Sequence, residues 1–289
     1  MRLTLFAVAA LLFSATPTQA QVSTAEIQEA IQAAELDPSV GNLLGATNAS
    51  RFLGDHEAAR SHYEGALDQL GGLFNAIIST GINLELASGG GVVGAQRAFR
   101  EMRSWLYMPP VVIANVANNF PELLATGEFD ELVLKLSLDA TDPDYRCACL
   151  GAVAWVHELA GREDEAKAVW SSLADAQLDG MDDIADPDVA ANTRGQVARN
   201  LARAGRIAEA RTQLERALAM EVSTAAMPTV RRRWAQAYAE LGDAEGAVEH
   251  LEPLLETRND INVHTLEARV SWRRIRNAPA FQAMLERHR

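Results

Sequence analysis

Apolar positions recur through most of the chain with the period of amphipathic helices, and the helices they predict come in pairs. A glycine marks each pair. Gly54 is followed by Ala59, Tyr63 and Ala66; Gly90 by Ala95, Phe99 and Met102; Gly161 by Ala166, Trp170 and Leu173. Gly205 leads to Ala210, Leu214 and Ala217, and Gly242 to Ala247, Leu251 and Leu254. Gly127 opens a weaker copy with Leu132 and Leu136. The offsets of 5, 9 and 12 residues differ by 4 and 3, so the three side chains share one helical face. Each glycine is also preceded by an amphipathic stretch with a small residue seven positions earlier, as in Ala154, Ala198 and Ala235. Two helices joined by a tight glycine turn form an antiparallel hairpin. Small residues let the two helices approach, and the large ones fill the gap to the next hairpin. The fold class predicted is all-α.

The ends read differently. One positive charge at Arg2, an apolar run from Leu3 to Phe13 and the small-residue site Thr18-Gln19-Ala20 have the layout of a secretory signal peptide cleaved after Ala20. The run is too short for a membrane span, which needs about 20 residues. Thr24 to Leu36 is expected to form a capping helix within residues 21–39, with Ala33 at its small position and Pro38 ending it. The glycine intervals are 36, 37, 34, 44 and 37, and the extra length before Gly205 falls on DGMDDIADPD, Asp179 to Asp188, a loop by composition.

These units resemble the tetratricopeptide repeat family, whose period is about 34 residues. The best copies are VARNLARAGRIAEARTQLERALAM (197–220) and RWAQAYAELGDAEGAVEHLEPLLE (233–256). The resemblance spans roughly residues 40–275 and is most specific at Gly54, Gly161, Gly205 and Gly242. It implies a right-handed α-solenoid of about six hairpins over residues 40–260, with a C-terminal cap over 261–289. That last segment is similar to the tail closing tetratricopeptide regions in bacterial serine/threonine kinases and class III adenylate cyclases. Trp272, Ile275, Arg276, Pro279, Phe281 and Leu285 carry the likeness, whereas Arg273, Arg274 and Asn277 stand where acidic residues are usual.

Charge narrows the partners. The net charge of −13 argues against nucleic acid or an anionic membrane surface. It is also segregated: residues 121–188 carry −13, and residues 190–233, with nine Arg and three Glu, carry +6. In the family, ligands lie in the concave groove lined by the first helix of each hairpin. Carried onto this sequence, the groove positions include Trp155, Asn192, Gln196, Arg199, Arg203, Arg232, Arg233 and Gln236. Arginine forks and amides there suit an acidic peptide or a C-terminal carboxylate. The full carboxylate-clamp pattern is absent, and the alternative is that these arginines form a solvated face or pair with the acidic loop.

Other chemistry is weaker. Gly89 to Gly94 matches G-x-G-x-x-G, but a dinucleotide site needs a preceding strand, to which Ile82–Ala87 would have to be assigned. Cys147 and Cys149 sit at a helix start, where residues two apart diverge; the default is two small buried residues, with a redox or metal role as the alternative. The five Asp of the Asp179–Asp188 loop do not have calcium-loop spacing. No metal or cofactor is expected. The function expected is an exported, periplasmic, non-catalytic scaffold that holds a protein or peptide and has no stable membrane anchor. The alternatives are a self-assembling structural protein, with the groove filled by its own terminus or another copy, and a redox protein using the Cys-Ala-Cys.

Overall fold

The computed structural model describes residues 24–70, 146–256 and 261–289, with a few isolated positions between 80 and 136. The expectations for the signal peptide at 1–20 and for the hairpin at Gly127 lie outside these residues, as does Gly90 itself. Every regular element among the described residues is helical. The chain divides into two compact units, which are taken separately.

The described part of the first unit holds α1 (Thr24–Leu36), α2 (Val40–Leu53), α3 (His56–Leu70) and the short α4 (Val263–Ala268). α1 packs on α2, and α2 and α3 form the Gly54 hairpin. Ala59 and Ala66 are fully buried, as the repeat offsets predict, and Thr47 occupies the small position seven residues before the glycine. In α1 the buried small residue is Ala34, one position after the Ala33 expected; Ala34 packs with Leu43, Leu44 and Ala46 of α2. Gly89, beside the expected Gly90, has φ of 82° and is a left-handed turn residue. Leu84 and Glu85 just before it are helical, and Ser88 N–H donates to Leu84 C=O at 2.9 Å. The two described residues of Ile82–Ala87 are thus helical, not extended as a dinucleotide fingerprint requires.

The second unit holds α5 (Arg146–Leu159), α6 (Glu163–Leu178), α7 (Pro187–Arg203), α8 (Ile207–Leu218), α9 (Met227–Glu240), α10 (Ala244–Leu255) and α11 (Pro279–Arg287). α5–α6, α7–α8 and α9–α10 are consecutive hairpins, and α7 packs against both α6 and α9. Each hairpin closes alike. Gly205 N–H donates to Ala202 C=O at 3.1 Å and Arg206 N–H to Leu201 C=O at 2.9 Å, with Gly205 at φ 82°. Gly54, Gly161 and Gly242 repeat this pair of bonds, which satisfies the last carbonyls of a helix and needs a residue free to enter the left-handed region.

The predicted faces are the core. Ala154, Trp155, Ala166, Trp170 and Leu173 form one cluster; Ala198, Leu214, Ala217, Val230 and Trp234 belong to another. Ala235, Ala247 and Leu251 are fully buried. Truncating one of the large members, such as Leu214→Ala, removes about 2–5 kcal/mol by the usual cost of a core cavity.

The acidic loop is short and occupied. Asp186 caps α7, accepting from Asp188 N–H at 2.8 Å and Val189 N–H at 3.3 Å, and Pro187 follows in the first turn. Asp182 pairs with Arg194 at 3.2 Å, and Asp188 accepts from the Ser223 backbone at 2.7 Å. Only Cys149 of the two cysteines is buried; Cys147 is exposed, which corrects the expectation of two buried residues. Helical geometry turns the two side chains apart, and they form no disulfide.

Candidate functional site

The first helices of the three hairpins in the second unit are α5, α7 and α9, and they carry every groove residue singled out in the sequence. The structure sorts those residues into two groups on neighbouring turns.

The first group is an ionic lock at the C-terminal ends of the three helices. Arg203 on α7 is 3% exposed and lies between two carboxylates. It pairs with Glu158 of α5 at 3.0 Å and with Glu240 of α9. Its guanidinium stacks over the Trp155 ring, 3.7 Å from the centroid, and Trp155 meets Trp170 edge to face at 5.8 Å. The Trp170 indole N–H donates to Glu158 at 2.7 Å. Two arginines from the C-terminal segment complete the network. Arg273 pairs with Glu158, and Arg274 pairs with Glu240 at 3.2 Å while donating to its backbone carbonyl at 2.7 Å. Burial opposes the charged form of Glu158, but Arg203, Arg273 and the Trp170 donor outweigh it and hold its carboxyl below the ordinary value.

Trp155 and Arg203, expected to face a partner, are therefore committed to the interior, because carboxylates from two neighbouring helices converge on Arg203. The segment Val270–Trp272 packs against α9, and Trp272 and Ile275 are both 1% exposed, so the tail itself covers this end of the groove. The sequence reading missed Glu158 and Glu240. The signal was present in the tail, where the adjacent Arg273 and Arg274 offer two cations to the two carboxylates. Beside the lock remains a cleft of about 240 Å³, bordered by Glu163, Lys167, Trp170 and the two tail arginines.

The second group lies one turn earlier. α7 and α9 cross closely at Gly195, where an added Cβ would stand 3.2 Å from Arg233 Cβ and 3.1 Å from Trp234 Cδ1. Arg199 is the next turn of α7 and Gln236 the next turn of α9. Arg199 is 6% exposed; its one hydrogen bond is a long 3.4 Å contact to the Asn200 amide oxygen, and its Nε is buried without a partner. Arg233 is half-buried, donates to Gln236 at 3.2 Å and likewise has a buried Nε without a partner. Neither is in an ion pair. Burial, then the charges of Arg199, Arg232 and Arg269, push the Arg233 guanidinium down to about 9. Burial and Arg203 push Arg199 down to about 10, against the weaker opposing pull of Glu240 and Glu158. Asn192 and Gln196, on the preceding turns of α7, are partly exposed, as is Arg232 on α9.

The comparison with known families agrees with this geometry. Residues 201–270, which include the second half of the Gly205 hairpin and all of the next, match the family model described as tetratricopeptide repeat. Over those residues the chain is similar to tetratricopeptide repeats. No curated protein is significantly similar to it. Tetratricopeptide repeats generally serve as protein-interaction scaffolds, and proteins built from them are generally not catalysts. Among its described residues no group of three His, Cys, Asp or Glu side chains is placed to hold a metal, and no described helix is long and apolar enough to cross a membrane.

Proposed function

We propose that this protein is an exported, non-catalytic scaffold that holds a partner protein or peptide on the face formed by α7 and α9. The observation that carries the reading is the row of polar side chains on those helices that the ionic lock leaves over: Asn192, Gln196, Arg199, Arg232, Arg233 and Gln236. Arginine and amide groups side by side favour a partner with an acidic or C-terminal carboxylate segment. The signal-like segment at 1–20 favours action outside the cytoplasm, in a periplasm.

The test is affinity capture from a cell-envelope extract, comparing the natural chain with Arg232→Glu/Arg233→Glu. A protein retained by the first and lost by the second identifies the partner and the face. Equal retention by both removes the face from the account.

One observation favours a second reading. Arg273 and Arg274 seat the chain's own tail on Glu158 and Glu240, which is how a groove filled by its own terminus looks. In that reading the protein serves as a structural element, and sedimentation velocity over a hundredfold concentration range would reveal self-association.

A further inference from the structure

We infer that a small cavity between α8 and the turn joining α9 to α10 is a docking site for one arginine side chain of a partner protein. None of its residues belongs to the α7–α9 face proposed above, and it does not rest on that reading.

The cavity measures about 200 Å³. Its floor is apolar, with Leu214 buried and Leu218 and Leu241 partly so. Tyr238 makes one wall, and α10 packs directly on its ring. His250 stacks on that ring at 5.5 Å, and a Cβ at Gly246 would stand 2.5 Å from its Cδ1. Glu215 and Asp243 stand at the rim with Arg211.

The preceding repeat shows what occupies the same place. Asp243 follows Gly242 directly, and Glu215 is the tenth residue after Gly205. One repeat earlier those two offsets hold Arg206 and Ser171. There Arg206 reaches from its hairpin turn to α6, donating to Ser171 Oγ at 3.1 Å and pairing with Asp175, while Glu209 accepts from its Nε at 2.8 Å. A guanidinium thus ties one hairpin to the next. At the later interface the chain supplies no arginine at that offset. Asp243 stands in its stead and shares the cavity with a second carboxylate, Glu215.

Charge and shape then select the occupant. Ionised carboxylates only accept. Asp243 accepts from the Gly246 N–H at 2.9 Å, which caps α10, and Glu215 is exposed. Arg211, the only cation in the lining, precedes Glu215 by four residues, the weaker order for an ion pair on a helix. Burial first, then Asp243, Glu249 and Glu215, hold the Tyr238 phenol above its ordinary value, as a negative local field does. A guanidinium suits this set: its flat face lies on an aromatic ring, its fork meets carboxylates, and its methylene stem covers the leucines. A lysine ammonium brings the charge without the face or the fork.

The test is an NMR titration of the full natural chain, with ¹³C-labelled tyrosine rings and N-acetyl-arginine-amide as the probe. Tyr238→Phe identifies the Tyr238 resonance. That resonance is expected to shift saturably with a Kd of about 1 mM or tighter, about fivefold below that of N-acetyl-lysine-amide. Glu215→Gln/Asp243→Asn should weaken binding about tenfold, and Asn still caps α10. Arg211→Gln should tighten it by removing the competing cation. Asp164→Asn/Glu165→Gln, an equal loss of charge at exposed positions of α6, should leave it unchanged. The site is overturned by no shift at Tyr238, by binding that survives in Glu215→Gln/Asp243→Asn, by equal weakening in Asp164→Asn/Glu165→Gln, or by equal affinity for the lysine probe. Sedimentation velocity decides the source. A concentration-dependent dimer that Glu215→Gln/Asp243→Asn abolishes would give the cavity to a second copy and overturn the partner assignment, whereas a monomer throughout supports it. The scaffold reading fails separately, through the capture experiment: no retained partner beside an intact response of Tyr238 leaves the arginine site standing.

Discussion

Arg203 and Arg199 sit one turn apart on the same helix, are buried to nearly the same extent, and meet opposite surroundings. Arg203 is held by Glu158, Glu240 and the faces of Trp155 and Trp170; Arg199 has one long bond to a neutral amide, is opposed by Arg203, and feels Glu240 and Glu158 without pairing with either. The difference separates architecture from recognition. Where a buried charge is matched from within, by three helices and a tail, its task is to fix how those pieces join. Where it is not paired, as at Arg199, removing the side chain costs the fold less than breaking a matched buried pair.

The comparison can be broken most forcefully at the lock. Arg203→Met leaves Glu240 in the interior with one partner fewer, and a loss of about 3–5 kcal/mol in urea unfolding is expected for a broken buried pair. A loss below 1 kcal/mol would mean that the two tail arginines alone satisfy both carboxylates. Smaller effects are expected at the rim. Arg273 and Arg274 are each 39% exposed, so Arg273→Ala or Arg274→Ala should cost only about 1 kcal/mol. Amide exchange should quicken around residues 270–277 in those variants and stay unchanged in α7.

Acid sharpens the same contrast. Glu158 titrates below its unfolded value of 4.5, so its contribution is complete above that pH and fades as the pH falls through the lower folded value. Natural protein should lose stability more steeply than Glu158→Gln below about pH 4.5, with the two curves parallel above it. Identical acid limbs would deny Glu158 its role in the lock. The smallest effect is at the crossing. Gly195→Ala gains about 1 kcal/mol of helix propensity and loses a similar amount to crowding against Arg233 and Trp234. Its stability should therefore change little; a loss of several kcal/mol would show that the crossing cannot widen.

The hairpins were legible because local rules and packing agree. Gly161, Gly205 and Gly242 sit where a helix must end, and Ala166, Ala210 and Ala247 fall five residues later on the buried face. Ala34 was missed by one position: Ala33 beside it fits the pattern equally, and only the packing against α2 decides between them. The candidate site was legible in part. Counting from the hairpin glycine picked residues of α5, α7 and α9, and among them Arg199, Arg233 and Gln236 lie near the close crossing of α7 and α9. It also placed Trp155 and Arg203 among the partner contacts, because a periodic count knows nothing of a tail that returns from 115 residues away to pair with Glu158. The clue lay in charge complementarity between distant segments, which no local spacing conveys.

The most direct measurement is urea unfolding of Arg203→Met and Arg233→Met side by side in chloride buffer. Both changes replace an arginine with an apolar side chain of comparable length, on adjoining helices of the same unit. The account predicts opposite outcomes: a fall of about 3–5 kcal/mol for Arg203→Met, and no fall or a gain for Arg233→Met. Comparable losses in both would mean that Arg233 is as much a part of the internal framework as Arg203, and would contradict the division between lock and site.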